Sequence, residues 1–213
     1  MLSLDLRGVR SAVLLGAHPD DIEIAAGGTM LTLATAHPGV RVHYVLFTGV
    51  PERQAEARAA AEAFLPGARI TSSLHDLPDG RLPAHWAHAK EIVEQVARVT
   101  PADLVLAPSR TDAHQDHRTV AELVPTAFRD ALVLHYEIPK WDGDLAPQNV
   151  YLPLDDATAR RKVALLHDCY PSQKDRDWWD DEVFLGLARL RGVECRSRYA
   201  EAFTCHKAVV RLG

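Results

Sequence analysis

Ala12-Val13-Leu14-Leu15-Gly16-Ala17-His18-Pro19-Asp20-Asp21 is an apolar run that breaks abruptly into one imidazole and two carboxylates. The apolar half reads as a buried strand, Ser11–Gly16, and the polar half as the tight loop at its C-terminal end. A second stretch follows the same plan. Leu104-Val105-Leu106-Ala107 is followed by His114-Gln115-Asp116-His117. Each cluster supplies N and O donors of the kind that hold a catalytic metal, with carboxylate to spare for moving protons.

Working outward, short apolar runs alternate with helical patterns, which is the mark of a parallel α/β sheet. Strands are expected at Ser11–Gly16, Val40–Thr48, Ala68–Ser73, Leu104–Ala107 and Ala131–Tyr136. Helices are expected at Ile24–Ala36, Glu52–Phe64 behind Pro51, Ala84–Val99 and Arg118–Arg129. Past Ile138-Pro139 the pattern loosens. Helices are expected there at Asp155–His167 and Asp177–Arg191, and an extended or mixed segment at Tyr199–Val210. The reading is a Rossmann-like, doubly wound, mostly parallel sheet in the order 3-2-1-4-5, with a C-terminal elaboration. In that order the first and fourth strands are neighbours, and the crevice at their C-terminal ends is the usual ligand site. Topology therefore brings the two clusters together although about a hundred residues separate them.

A dinucleotide site is the obvious competitor on such a sheet. It needs G-x-G-x-x-G in the first turn so that backbone can approach pyrophosphate. Here that turn carries His18, Asp20, Asp21 and Glu23, which would repel a diphosphate, and Gly27-Gly28 comes too late. Those glycines instead suit close packing of the first helix on the sheet, or an approach to the site.

His18 and Asp21 are three apart, as are His114 and His117, so each pair can face one centre. His18, Asp21 and one histidine of the second cluster would leave a metal with open positions, as catalytic zinc requires. Non-haem iron uses the same donors, so ligand type leaves Zn2+, Fe2+ or another divalent ion open. Asp20 would then be free as general base, and Asp116 would orient a histidine from behind. The bland alternative is a pair of solvated turns, with an aspartate capping the first helix.

Composition narrows the class. The chain has 213 residues, 47% hydrophobic and 25% charged, which suits one domain spanning 1–213. The net charge of -5 and the lack of a basic block argue against nucleic acid. No run approaches the ~20 apolar residues that span a bilayer, and no secretory pattern opens the chain. Three cysteines without a CxxC pair suggest reduced thiols and a cytoplasmic protein. A homo-oligomer stays open, because no interface signal stands out.

At these residues the chain resembles the LmbE-like, or PIG-L, family of zinc-dependent N-deacetylases. The first motif reads Ala17-His18-Pro19-Asp20-Asp21-Ile22-Glu23-Ile24-Ala25-Ala26-Gly27-Gly28-Thr29, and the second His114-Gln115-Asp116-His117. Weaker likeness continues at Tyr136-Glu137-Ile138-Pro139, Ser172-Gln173 and Tyr199-Ala200-Glu201-Ala202-Phe203. The chain departs at Glu23, set off by Ile22 where some members carry Glu directly, and at Ala25-Ala26. The resemblance implies that His18, Asp21 and His117 hold zinc. It implies that Asp20 activates water, and that His114 steadies the oxyanion or protonates the departing amine. The implied activity is removal of acetyl from an N-acetylated amino sugar of N-acetylglucosamine type, with a small sugar-like molecule as partner. Alternatives are a metal-binding or regulatory module without turnover, a hydrolase of a non-sugar amide, and a nucleotide-binding protein.

Other residues invite a role at the rim. Arg53, Arg110, Arg118 and Glu137 are candidates for substrate contact, each weighed against an ordinary surface role. Asp112 flanks the second cluster with the same choice. Trp178-Trp179 can stack on a sugar or pack the C-terminal helices. Arg81-Leu82-Pro83 and Trp86 can form a contact surface or a lid.

Overall fold

A computed structural model describes residues 3–210. The elements run β1 (Ser11–Gly16), α1 (Asp21–Ala36), β2 (Arg41–Thr48), α2 (Pro51–Phe64), β3 (Arg69–Leu77), α3 (Trp86–Val99), β4 (Leu104–Pro108), α4 (Gln115–Ala127), β5 (Leu132–Tyr136), β6 (Val150–Leu154), α5 (Asp156–Cys169), α6 (Asp181–Glu194) and β7 (Tyr199–Thr204). Short 3-10 turns, Leu82–His85 and Pro171–Gln173, precede α3 and follow α5.

One sheet holds all seven strands in the order β3-β2-β1-β4-β5-β7-β6. β1 lies parallel between β2 and β4, in register Ala12↔Val42 and Ala12↔Leu104. Every residue of β1 is buried, as its unbroken apolar run requires. Its side chains alternate between two cores. Ala12 and Leu14 meet the α1, α2, α5 and α6 layer, while Val13 and Leu15 meet α3 and α4. The 3-2-1-4-5 core stands as read.

The C-terminal elaboration is more regular than the sequence suggested. β7 runs antiparallel to β5, and β6 antiparallel to β7. β6 escaped the reading because Pro153 sits inside it. As the outermost strand, β6 tolerates a residue that cannot donate to a ladder. Helix starts also shift: α1 begins at Asp21 rather than Ile24, and α4 at Gln115 rather than Arg118. Each motif thus runs from a loop into the first turn of a helix. The thiols of Cys169, Cys195 and Cys205 are free. No described helix is long and apolar enough to cross a membrane.

Gly27 and Gly28 settle their two readings in favour of close packing. A Cβ on Gly27 would stand 2.6 Å from Cε1 of Phe64, and one on Gly28 2.5 Å from Cδ1 of Leu154. The backbone N–H groups of Gly28 and Thr29 both donate to Glu201 of β7, at 2.8 and 2.6 Å. Lys162 of α5 closes a buried ion pair with the same carboxylate at 2.7 Å. The late glycines therefore tie α1 to the elaborated edge of the sheet.

Gly49 follows β2 under the first motif. Its φ is +130°, and a Cβ there would lie 2.8 Å from Cγ of Pro19. Gly49→Ala is expected to destabilise the chain by about 1–3 kcal/mol, through backbone strain and overpacking. Urea unfolding checks this. A loss below about 0.5 kcal/mol, the scatter of ordinary surface substitutions, would show that the Pro19 turn yields freely.

Candidate metal centre

The β1–α1 turn is clamped by three hydrogen bonds. The backbone N–H of His18 donates to Oδ2 of Asp21 at 2.8 Å. Thr48, at the end of β2, donates to the Ala17 carbonyl from both its backbone N–H and its hydroxyl, at 3.0 and 2.8 Å. Asp20 takes a left-handed backbone with φ 98°, costly for a residue with a Cβ and typical of functional turns. Beside this turn, His114 caps α4 in extended geometry, its Nδ1 accepting the Asp116 N–H at 3.2 Å. Asp116 and His117 thus fall in the first helical turn, where a carboxylate suits the helix dipole.

The two turns meet over the β1–β4 junction. Nδ1 of His18 lies 3.1 Å from Nε2 of His117. Oδ2 of Asp21 lies 3.5 Å from the former and 3.3 Å from the latter. Donors about 2.0–2.1 Å from a tetrahedral ion stand about 3.3 Å apart, so this triangle fits a zinc-sized cation. Three further carboxylates set the tautomers. Nε2 of His18 faces Oδ2 of Asp116 at 3.2 Å and Oδ1 of Asp79 at 3.0 Å. Nδ1 of His117 faces Oδ2 of Asp112 at 2.9 Å. With protons on those outer nitrogens, the inner lone pairs of both rings converge on Asp21. Two lone pairs at 3.1 Å repel unless a cation or a proton lies between them. A donor set of two imidazoles and one carboxylate, backed by carboxylates, therefore suits a divalent metal.

Charge in the site agrees. Burial works against a charged His18, but Asp21, Asp116 and Asp79 outweigh it and hold its pKa well above the usual range. Burial likewise opposes the Asp21 carboxylate, yet His117 and His18 pull its pKa well below normal. Both shifts favour positive charge next to Asp21. His114 goes the other way. Burial and the neighbouring histidines lower its pKa, which favours the neutral ring. That ring stacks on His117 with centroids 4.7 Å apart, so three imidazoles cluster.

Asp20 is held separately. Nη2 of Arg53 donates to its Oδ2 and to the Pro19 carbonyl, both at 2.6 Å. Nη1 of Arg53 reaches Glu56 and Ser172, at 2.6 and 2.7 Å, and Glu56 also accepts from the Ser172 N–H and hydroxyl. The guanidinium lies 5.4 Å from the Tyr170 ring centroid. Burial pushes the Asp20 carboxyl up to about 7, against the pull of Arg53. Below it, Tyr170 donates to Glu23 at 2.8 Å, and burial raises that carboxyl to about 7 as well.

A cleft of about 880 Å³ opens over these groups, its lining including His18, Asp20, Asp21, Arg53, His114 and His117. The remaining rim candidates lie elsewhere. Glu137 is buried in an ion pair with Arg191 of α6 at 2.6 Å. Arg118 turns back to the carbonyls of Asp112 and Ala113, both at 2.6 Å, and steadies their loop. Arg110 is exposed and outside the cleft lining. Arg53 lines the cleft, but its donors go to the protein. The tryptophans divide: Trp179 packs against Tyr170 and Phe184, while Trp178 lines the cleft. Trp86 stays half exposed over Lys90, outside the cleft lining.

Asp116 supports His18, and the support of His117 comes from Asp112, which the sequence reading placed at the substrate rim. Lys140 steadies Asp112 from behind, with Nζ 3.3 Å from Oδ1. Asp79 and Lys140 lie on connections outside both motifs, where spacing carries no signal. Asp112 was within reach, since an aspartate five residues before His117 in the same loop can fold back on it.

Asp112→Asn is expected to lower divalent metal affinity about 10–100-fold by loosening the His117 tautomer. Arg110→Ala is expected to leave it unchanged. Competition with a chromogenic chelator measures both. Equal affinities in all three proteins would remove Asp112 from the support of His117.

Residues 13–128, more than half of the chain and containing both motifs, match the model of the PIG-L family, described as GlcNAc-PI de-N-acetylase. Solved structures share the fold. A conserved protein from Thermus thermophilus superposes with a TM-score of 0.76 at 20% identity, covering 94% of this chain and 96% of that one. An N,N'-diacetylchitobiose deacetylase from Pyrococcus horikoshii gives 0.72 at 20%, covering 93% and 84%. A 4-carboxy-2-hydroxymuconate hydratase from Pseudomonas putida gives 0.74 at 20%, covering 96% and 99%. A deacetylase and a hydratase on one fold leave the reaction to be argued from the site. On the extent of the family match, with its two motifs at the ends of β1 and β4, this chain belongs to the PIG-L, or LmbE-like, family.

Proposed function

We propose that this protein is a metal-dependent amidohydrolase that removes the acetyl group from an N-acetylated amino sugar conjugate of N-acetylglucosamine type and releases acetate. The observation that carries the reading is the 3.1–3.5 Å triangle of His18, Asp21 and His117, with the Asp20 carboxylate held apart from it by Arg53. The family description and the sugar deacetylase among the structural neighbours support the substrate class. His18, Asp21 and His117 would hold the ion, with Zn2+ as the first choice and Fe2+ or another divalent metal as the alternatives. Such an ion supplies Lewis acidity to the amide carbonyl and makes water more acidic.

The chain's own residues do the rest. Asp20 takes a proton from the attacking water as its oxygen bonds to the acetyl carbon. Its left-handed backbone and the Arg53 clamp fix the carboxylate before substrate arrives, so little reorganisation remains for the reaction. His114 is kept neutral, and its Nδ1 is engaged by the Asp116 N–H. Its Nε2–H is then free to donate to the oxygen that gains charge. Neutral imidazole is a better hydrogen-bond donor than proton source, so we assign His114 to the oxyanion. Asp20 returns its proton to the nitrogen as the C–N bond breaks, and the free amine and acetate leave.

In the metal-loaded protein, Asp20→Asn is expected to keep the metal and lose about 10²–10⁴-fold in turnover. Acetate release and free amine from N-acetylglucosamine conjugates, beside elemental metal content, read both quantities. Full turnover in that variant would remove Asp20 from the base role. Release from acyl-amino acids but not from acetylated sugars would overturn the substrate class. A metal-loaded wild-type protein that releases acetate from neither would leave a binding module.

A further inference from the structure

Trp141 lies on the connection between β5 and β6, and 62% of it is exposed. A lone exposed indole means little. This one is pinned on three sides. Its Nε1–H donates to Asp177 at 3.1 Å, and its ring meets Trp178 edge to face at 5.7 Å. The Arg176 guanidinium sits 6.0 Å from its centroid. Trp178 is itself rooted in the core, edge to face with Trp179 at 5.5 Å and Phe184 at 6.4 Å. Trp141, Trp178 and Arg176 all line the cleft that contains the metal triangle. The next residue back, Lys140, places Nζ 3.1 Å from Nδ1 of His117. One side chain thus links the indole wall to the centre.

We infer that Trp141, backed by Trp178 and Arg176, is a stacking platform for a second ring of the substrate, beyond the acetamido sugar. The inference rests on the sugar-amide reading of the same cleft. A rigid indole face loses little entropy on binding and suits a flat apolar ring face. Both the C–H face of a pyranose and an aryl group offer one. The contacts at Asp177, Trp178 and Arg176 hold the ring before ligand arrives, so ordering costs fall on the ligand alone.

The test uses the metal-loaded protein and three acetamido sugars: methyl N-acetyl-β-glucosaminide, phenyl N-acetyl-β-glucosaminide and an N-acetylated disaccharide. Trp141→Ala is expected to raise KM for the two-ring substrates about tenfold relative to the methyl glycoside, the worth of about 1.4 kcal/mol of stacking. The effect should fall on KM rather than kcat, and Trp141→Phe should restore much of it. Trp86→Ala, an exposed tryptophan outside the cleft lining, should leave the ratios alone. An effect on the phenyl glycoside alone, or on the disaccharide alone, identifies the ring. Equal KM changes for all three substrates, or none, would overturn the platform. So would an oligomer that falls apart in Trp141→Ala with the KM ratios intact. If no substrate turns over, calorimetric binding of the phenyl and methyl glycosides still decides. A preference for phenyl that Trp141→Ala abolishes supports the platform, and no preference ends it.

Discussion

The parallel pairing of β1 with β4 is the constraint on which the site depends. The register Ala12↔Leu104, Val13↔Val105 and Leu14↔Leu106 sets the two strand ends side by side. Residues 18 and 117, far apart in the chain, are thereby held with ring nitrogens 3.1 Å apart. The pairing is secured by burial on both faces rather than by polar contacts, since β1 sits between two apolar layers. A one-residue slip would turn every side chain of β1 to the opposite layer. The geometry of the centre is thus inherited from the core beneath it.

Charge is the second constraint. Asp20, Asp21, Asp112 and Asp116 are buried around His18 and His117, and Asp79 adds its carboxylate from an exposed loop. So many carboxylates cannot share a low-dielectric site without compensation. Arg53 answers Asp20, and Lys140 answers Asp112. Backbone N–H groups of Gly80 and Leu82 answer Asp116, at 2.7 and 2.9 Å. Asp21 has one backbone N–H, from His18, and the two imidazoles, whose inner nitrogens can be donors only by taking protons. A divalent cation would resolve that local deficit with the tautomers already in place.

Much of this was legible in the chain. The apolar runs at Ser11–Gly16 and Leu104–Ala107, each followed by a cluster of His and Asp, disclosed the sheet and pointed to the candidate site. Period and turn chemistry carry that kind of information. They do not carry the tertiary hydrogen bonds that assign Asp112 to His117 and turn Arg118 and Glu137 away from the cleft. Nor do they disclose β6, where Pro153 argues against a strand until the strand is known to be an edge. Arg53 shows the limit well. Its place on the first turn of α2 was readable, but its grip on Asp20, Glu56 and Ser172 depends on where the distant 3-10 turn Pro171–Gln173 docks.

The most direct test of the account is the metal content of the purified protein and of His18→Ala and His117→Ala made singly. The two residues come from loops that meet only if β1 and β4 pair as described. One equivalent of zinc or another divalent metal in the wild type, with strong loss in each folded variant, is the predicted result. Full retention of metal by either variant would contradict a shared centre.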